Sequence, residues 1–207
     1  MCMMGIGVLA GGVCRVFVGL FLVNKGISKF PKGIRRPLPE AINGILWLVT
    51  ALCYDKGMEC VFYGVLVSLL FLIAVTDFYV FEIPRGSNLC IAGMGAVRII
   101  TDVSRWESYL AGGLLVGGIL YLVYVVTKRR GIGGGDVKMM AAVGLVLGAS
   151  KGFFALFLGC LVAVLVHLPG MKPEKKGHVF AMGPYLAMGT LGMVWFGERM
   201  LLWYRML

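Results

Sequence analysis

Only 14% of the 207 residues are charged, and there are just two histidines, His167 and His178. A soluble domain of this size needs far more polar surface, so a water-soluble globule is excluded and the bilayer is the expected solvent. The six cysteines (Cys2, Cys14, Cys53, Cys60, Cys90, Cys160) form no C-x-x-C pair and lie mostly within apolar runs. That scatter argues against a zinc site and against a disulfide framework, and no cofactor is expected. The histidines have no cysteine motif beside them and read as interfacial or solvated side chains, not ligands. A separate soluble domain is also missing, because eight spans of roughly 20 residues would use nearly the whole chain.

What is present is apolar sequence, at 59% hydrophobic and a mean hydropathy of +0.90. Apolar runs broken by charged or Pro/Gly-rich gaps predict helices near 3–23, 39–54, 60–76, 88–101, 108–127, 137–150, 152–169 and 181–197. The expected fold is therefore an all-α polytopic bundle of about eight transmembrane helices, forming one membrane-embedded domain over 1–207. The first run lacks a basic start and a small-x-small cleavage site, so it reads as a retained helix, not a signal peptide. Only Ser150, Lys151 and Gly152 separate the sixth and seventh runs, which leaves open whether both are full spans. Gly112-Gly113 and Gly117-Gly118 are expected to let helices cross closely.

The net charge of +10 would suggest nucleic acid in a soluble protein, but its distribution suggests topology. Thirteen Lys and Arg residues fall in 24–36, 77–87, 128–138 and 170–178. Only Lys56, Arg98, Arg105, Lys151, Arg199 and Arg205 fall at the opposite ends, while Arg15 lies inside the first run. The positive-inside rule then places the first set in the cytoplasm and both termini outside, with membrane lipid and not nucleic acid as the surroundings. Arg15 is expected to snorkel or to pair with a carboxylate.

Two aspartates stand out, because a charge at a span needs a partner, water or a function. Asp77 follows the run Leu69 to Thr76, and Asp136 closes Gly133-Gly134-Gly135-Asp136 just before another apolar run. Both fall on the predicted cytoplasmic side. Two carboxylates held close cannot both ionise cheaply, so one keeps its proton, and the pair supplies a base and an acid for hydrolysis. Taken singly, Asp136 also suits a helix N-cap and Asp77 a solvated helix end. The glycines before Asp136 leave space for an extended backbone to approach. Glu82 reads as an interfacial charge, and Lys138 as a partner for Asp136 or for a lipid phosphate.

These stretches resemble a known family. Gly131-Ile132-Gly133-Gly134-Gly135-Asp136-Val137-Lys138 is similar to the GxGD signature of type IV prepilin peptidases. Asp77 followed by Ile83-Pro84 resembles the family's other aspartate motif, and Gly183-Pro184 its terminal Gly-Pro element. Pro37-Leu38-Pro39-Glu40 with Asn43-Gly44 looks like the start of its second helix, so the likeness runs from about 37 to 192, with the catalytic part at about 60–197. The resemblance implies a multi-pass inner-membrane aspartyl endopeptidase whose active site lies on the cytoplasmic side. It would cut prepilins or pseudopilins with Asp77 and Asp136, while Gly133, Gly135, Lys138, Ile83, Pro84 and Pro184 would shape the substrate approach. Larger members carry two C-x-x-C pairs in the first cytoplasmic loop and also N-methylate the product. The short, cysteine-free loop 24–36 argues against that second activity here, and Arg85 stands where the family commonly has a small polar residue or carboxylate. The alternatives are a preflagellin peptidase or other GxGD intramembrane protease and, from a different class, a small ion- or proton-coupled transporter or membrane scaffold.

Overall fold

A computed structural model describes residues 2–25, 38–54, 57–128, 131–167 and 181–206. The loops 24–36 and 170–178 fall almost wholly outside these residues, as do His178, Lys56, Arg129 and Arg130. The described chain is a helical membrane bundle: α1 (Cys2–Asn24), α2 (Leu38–Cys53), α3 (Met58–Val80), α4 (Arg85–Thr101), a 3-10 turn (Val103–Arg105), α5 (Trp106–Val126), α6 (Gly134–Leu147), α7 (Ala149–His167) and α8 (Gly183–Met206). In lipid no water can satisfy a backbone amide, so helices that bond internally are the natural spanning form for so apolar a sequence. Among the described residues α1, α3, α7 and the stretch Val103–Val126 are long and apolar enough to cross a membrane.

The chain divides into two compact units, Met1–Val80 and Phe81–Leu207. In the first unit α1, α2 and α3 pack on one another. Their contact is polar at its centre. Asn43 donates through Nδ2 to the Gly7 carbonyl at 2.8 Å and to the Ser68 hydroxyl at 3.1 Å, and Trp47 donates through Nε1 to the same hydroxyl at 2.8 Å. Trp47 also fills the space that glycine leaves on both sides, since a Cβ on Gly7 or Gly64 would collide with its ring system. Arg15 does not snorkel: its Nε meets Glu40 Oε1 at 2.9 Å, tying α1 to the first turn of α2.

In the second unit α6 is the central element, packed against α4, α5, α7 and α8. Its crossing with α5 is made by small residues. A Cβ on Gly112 would strike the Gly144 carbonyl oxygen, and one on Gly117 would come within 2.7 Å of Ala141 Cβ. Gly118, by contrast, faces open space and takes no part in the crossing. The break between α6 and α7 falls at Gly148, with φ +81°, while Ser150, Lys151 and Gly152 belong to α7. A positive φ of this kind favours glycine strongly, so the sharp corner sits where no side chain obstructs it. At 14 residues α6 is about 21 Å long, well short of a bilayer core of roughly 30 Å.

Candidate active site

Asp77 occupies the last turn of α3, which runs on through Phe78 and Tyr79 to Val80 instead of stopping at Thr76. Apolar and aromatic residues beyond the aspartate keep the helix going. Phe81 then takes φ +55°, a left-handed conformation that turns the chain out of the helix and into Glu82-Ile83-Pro84. Just before the aspartate, Thr76 donates its hydroxyl back to the carbonyls of Leu72 and Ile73, at 2.9 and 3.0 Å. That bond satisfies the hydroxyl within its own helix. Phe78 is exposed and Glu82 is exposed, whereas Asp77 is only 6% exposed.

Asp136 is also 6% exposed, but it is not the N-cap that its position before Val137 suggests. The helix starts earlier, with Gly133 as the cap in an extended conformation, and Asp136 is the third helical residue. From there its carboxylate Oδ2 accepts the Gly133 N–H at 3.2 Å, while its own N–H donates to the Gly133 carbonyl at 3.1 Å. The carboxylate thus folds back onto an otherwise unsatisfied helix-start amide, the acidic half of a capping box. This explains the first glycine of the signature, because a Cβ on Gly133 would sit 2.9 Å from that same Oδ2. A negative group in the first turn also meets the positive end of the helix dipole.

Gly135 has a different reason to be glycine: a Cβ there would press on the Ile83 side chain at 3.2 Å. Ile83 of the Ile-Pro pair and the glycine signature are therefore brought together within the second unit. Pro84 is buried and caps α4. Asn88, one turn into α4, donates through Nδ2 to the Gly135 carbonyl at 3.2 Å and so fastens the turn that carries Asp136. Sequence reasoning missed this residue. Its one available signal was its place, a polar side chain one turn after Ile83-Pro84 with an otherwise apolar helix ahead.

Between α4 and α6 lies a groove of about 550 Å³ lined by Ile83, Arg85, Asn88, Leu89, Gly135 and Lys138 at one end and by Ala92, Ala141, Ala142 and Leu145 beyond. Lys138 is exposed and lines this groove, on the turn after Asp136. Pro184 lies elsewhere, half-buried in the first turn of α8, where a missing amide hydrogen costs nothing. It does not line the groove. Asp77 belongs to the first unit and Asp136 to the second. Among the described residues no cluster of three or more His, Cys, Asp or Glu side chains is placed to hold a metal ion.

Helices suited to a membrane, each aspartate buried near a helix end, and a glycine turn braced from α4 define an integral membrane protein with two protected carboxylates. The model of the type IV leader peptidase family matches residues 64–168, which include both aspartates, and the chain belongs to that family. A prepilin leader peptidase/N-methyltransferase of Bacillus subtilis (strain 168) is 28% identical over 174 residues, covering 81% of this chain and 68% of the relative. The protein of the same name from Pectobacterium carotovorum subsp. carotovorum is 27% identical over 169 residues, 78% of this chain and 61% of the relative. That from Neisseria gonorrhoeae is 28% identical over 160 residues, 74% of this chain and 54% of the relative. The chain thus spans between about half and two thirds of the length of these relatives. No solved structure matches it.

Proposed function

We propose that this chain is an aspartyl endopeptidase that removes the leader from type IV prepilin-like or pseudopilin precursors at the cytoplasmic face of the inner membrane, with both termini outside. The observation that carries the reading is the pair Asp77 and Asp136, each buried near an end of its helix and each within the region the family model matches; the Lys and Arg count supports putting both on the cytoplasmic side.

In this reading the two aspartates meet over the scissile amide and share one proton. The ionised carboxylate takes a proton from water as its oxygen attacks the carbonyl carbon, and the protonated carboxyl hydrogen-bonds the developing oxyanion. Collapse breaks the C–N bond as the carboxyl that took the proton from water passes it to the leaving nitrogen, which returns the pair to one shared proton. A precursor with a basic leader in the cytoplasm and an apolar helix in the bilayer presents that bond at the membrane surface. Because the loops 24–36 and 170–178 are themselves basic, recognition rests on the apolar helix and backbone and not on charge attraction. The cysteine-free loop 24–36 supports a peptidase that leaves its product unmethylated.

The test is co-expression with prepilin-like proteins of the same genome, with the mass and N-terminal sequence of the product as readouts. Asp77→Asn and Asp136→Asn should each abolish cleavage, by at least about a thousandfold, and the double variant should lose little more, because groups sharing one step are non-additive. Glu82→Gln should retain substantial activity. Processing near the parent rate by either aspartate variant would sink the dyad, and loss of ion flux in its place would favour a transporter. A product one methyl heavier in the presence of S-adenosylmethionine would overturn the single-activity reading.

A further inference from the structure

The groove between α4 and α6 is graded along its length. Asn88 of α4 touches Gly135 of α6 near both helix starts, and Gly95 packs on Leu145 further along, so the two helices run parallel with their N-termini at one end. At that end stand Arg85 and Lys138, both exposed, and among the described residues neither has a carboxylate partner. The positive ends of both helix dipoles add to the same field. Beyond them the lining is apolar, through Leu89, which is 74% exposed, to Ala92, Ala142 and Leu145.

We propose that this groove holds an anionic phospholipid, with its phosphate between Arg85 and Lys138 and one acyl chain laid along Leu89, Ala92, Ala142 and Leu145. Charge complementarity fixes one end of the occupant and apolar lining the other. An extended peptide fits worse. The lining runs along α6 from Gly135 to Leu145, about 15 Å at 1.5 Å per residue, which would take four or five peptide residues at roughly 3.3 Å each, and each brings a backbone N–H and C=O that needs a partner. Apart from its two cationic heads the lining offers little for these groups: Asn88 Nδ2 and the Gly135 carbonyl already bond to each other, and Asn88 Oδ1, which has no partner among the described residues, is a single acceptor and buried. An acyl chain brings no such groups. Two unpaired cations would also repel a basic leader, a point that rests on the proposed substrate, whereas the binding itself does not. Arg85, otherwise out of place after the Ile-Pro pair, gains a role as half of a phosphate clamp.

The experiment is native mass spectrometry of the full chain in detergent, titrated with dioleoylphosphatidylglycerol or dioleoylphosphatidylcholine. One phosphatidylglycerol should be retained at least tenfold more tightly than phosphatidylcholine. Arg85→Gln combined with Lys138→Gln should abolish that preference, bringing the two lipids to within about twofold of each other, while Lys128→Gln with Arg199→Gln removes the same charge elsewhere and should leave it. Ala92→Phe should weaken both lipids alike by filling the apolar end, and millimolar inorganic phosphate should displace neither. Arg85→Gln alone, expected to cost about fivefold, serves if the double variant does not fold. Equal retention of the two lipids, or a preference untouched by the groove variants, would overturn the proposal. Displacement by phosphate would reduce the site to an anion hole, and a photo-cross-linker at position 92 that captures prepilin instead of lipid would make it a peptide site. Either result also overturns it. Lipid retention is read without any cleavage step, so its failure is separable from failure of the peptidase reading.

Discussion

At the scale of single residues, the aspartate held by Gly133 is only as well aimed as the turn around it. Asn88 controls that turn through one hydrogen bond to the Gly135 carbonyl. Under the proposed peptidase, Asn88→Ala should lower kcat about tenfold with little change in KM, because it loosens a catalytic group without touching the substrate. Asn88→Gln should recover less than half of the loss, its longer chain placing the amide differently. Steady-state cleavage of a prepilin by both variants decides it, and a change confined to KM would refute the positioning role. Asp102 offers a second prediction, between α4 and the 3-10 turn. Bonds from the Ser104 hydroxyl at 2.7 Å and the Tyr109 hydroxyl at 2.8 Å, with Arg105 and Arg98 nearby, hold its carboxyl below the ordinary carboxylate range. A depressed folded pKa means that the stabilisation is complete above the ordinary Asp value of about 3.9 and is lost as pH falls through the lower folded value. Thermal melts between pH 7 and 3 should show Asp102→Asn less stable than the parent at pH 7, with the gap closing in acid.

Helices, one level up, meet where glycine allows backbone to touch backbone. The α5–α6 crossing predicts that Gly112→Leu, which drives a side chain into the Gly144 carbonyl, destabilises by at least about 2 kcal/mol. Gly118→Ala should instead be neutral or stabilise by up to about 1 kcal/mol, since nothing lies near its Cβ and alanine suits a helix better. Melting temperatures of the two variants in one detergent make the comparison. Hydropathy alone could not separate these neighbours, because both glycines count alike in an apolar run and only the rotation of α5 tells them apart. The same limit explains the corner at Gly148. Ser150, Lys151 and Gly152 look like a loop to any polarity count, whereas the real break depends on one backbone angle. Asp77 was legible as a helix-end residue, but polarity put the end at 76, four residues early, because the helix continues through Asp77, Phe78, Tyr79 and Val80.

Across the whole molecule, the pattern of apolar runs made the helical bundle legible, because only spans of nearly continuous hydrophobicity satisfy the bilayer. The two aspartates were legible for the converse reason: charge stands out against such a background. Asn88 and the Arg15–Glu40 pair were not, since their partners lie 47 and 25 positions away and no periodicity marks them. The asymmetry of Lys and Arg also makes a prediction about orientation. Single cysteines placed at 32 or 174, in an otherwise cysteine-free background, should resist impermeant maleimide in intact cells and react after permeabilisation. Ready labelling from outside would invert the topology.

The shared hydroxyl of Ser68 has a consequence for how the chain is made. Asn43 and Trp47 leave the ribosome 25 and 21 residues before the side chain that accepts their hydrogens. Gly7 of α1 accepts one hydrogen of the Asn43 amide, but until α3 emerges α2 still carries a second amide hydrogen and an indole N–H that hydrocarbon cannot satisfy, on a helix of only 16 residues. Release of α2 into lipid should therefore wait for α3, so that the two enter as a hairpin. Ser68→Ala should prolong the contact of a nascent chain with the insertion machinery, an arrest visible by site-specific cross-linking from position 45.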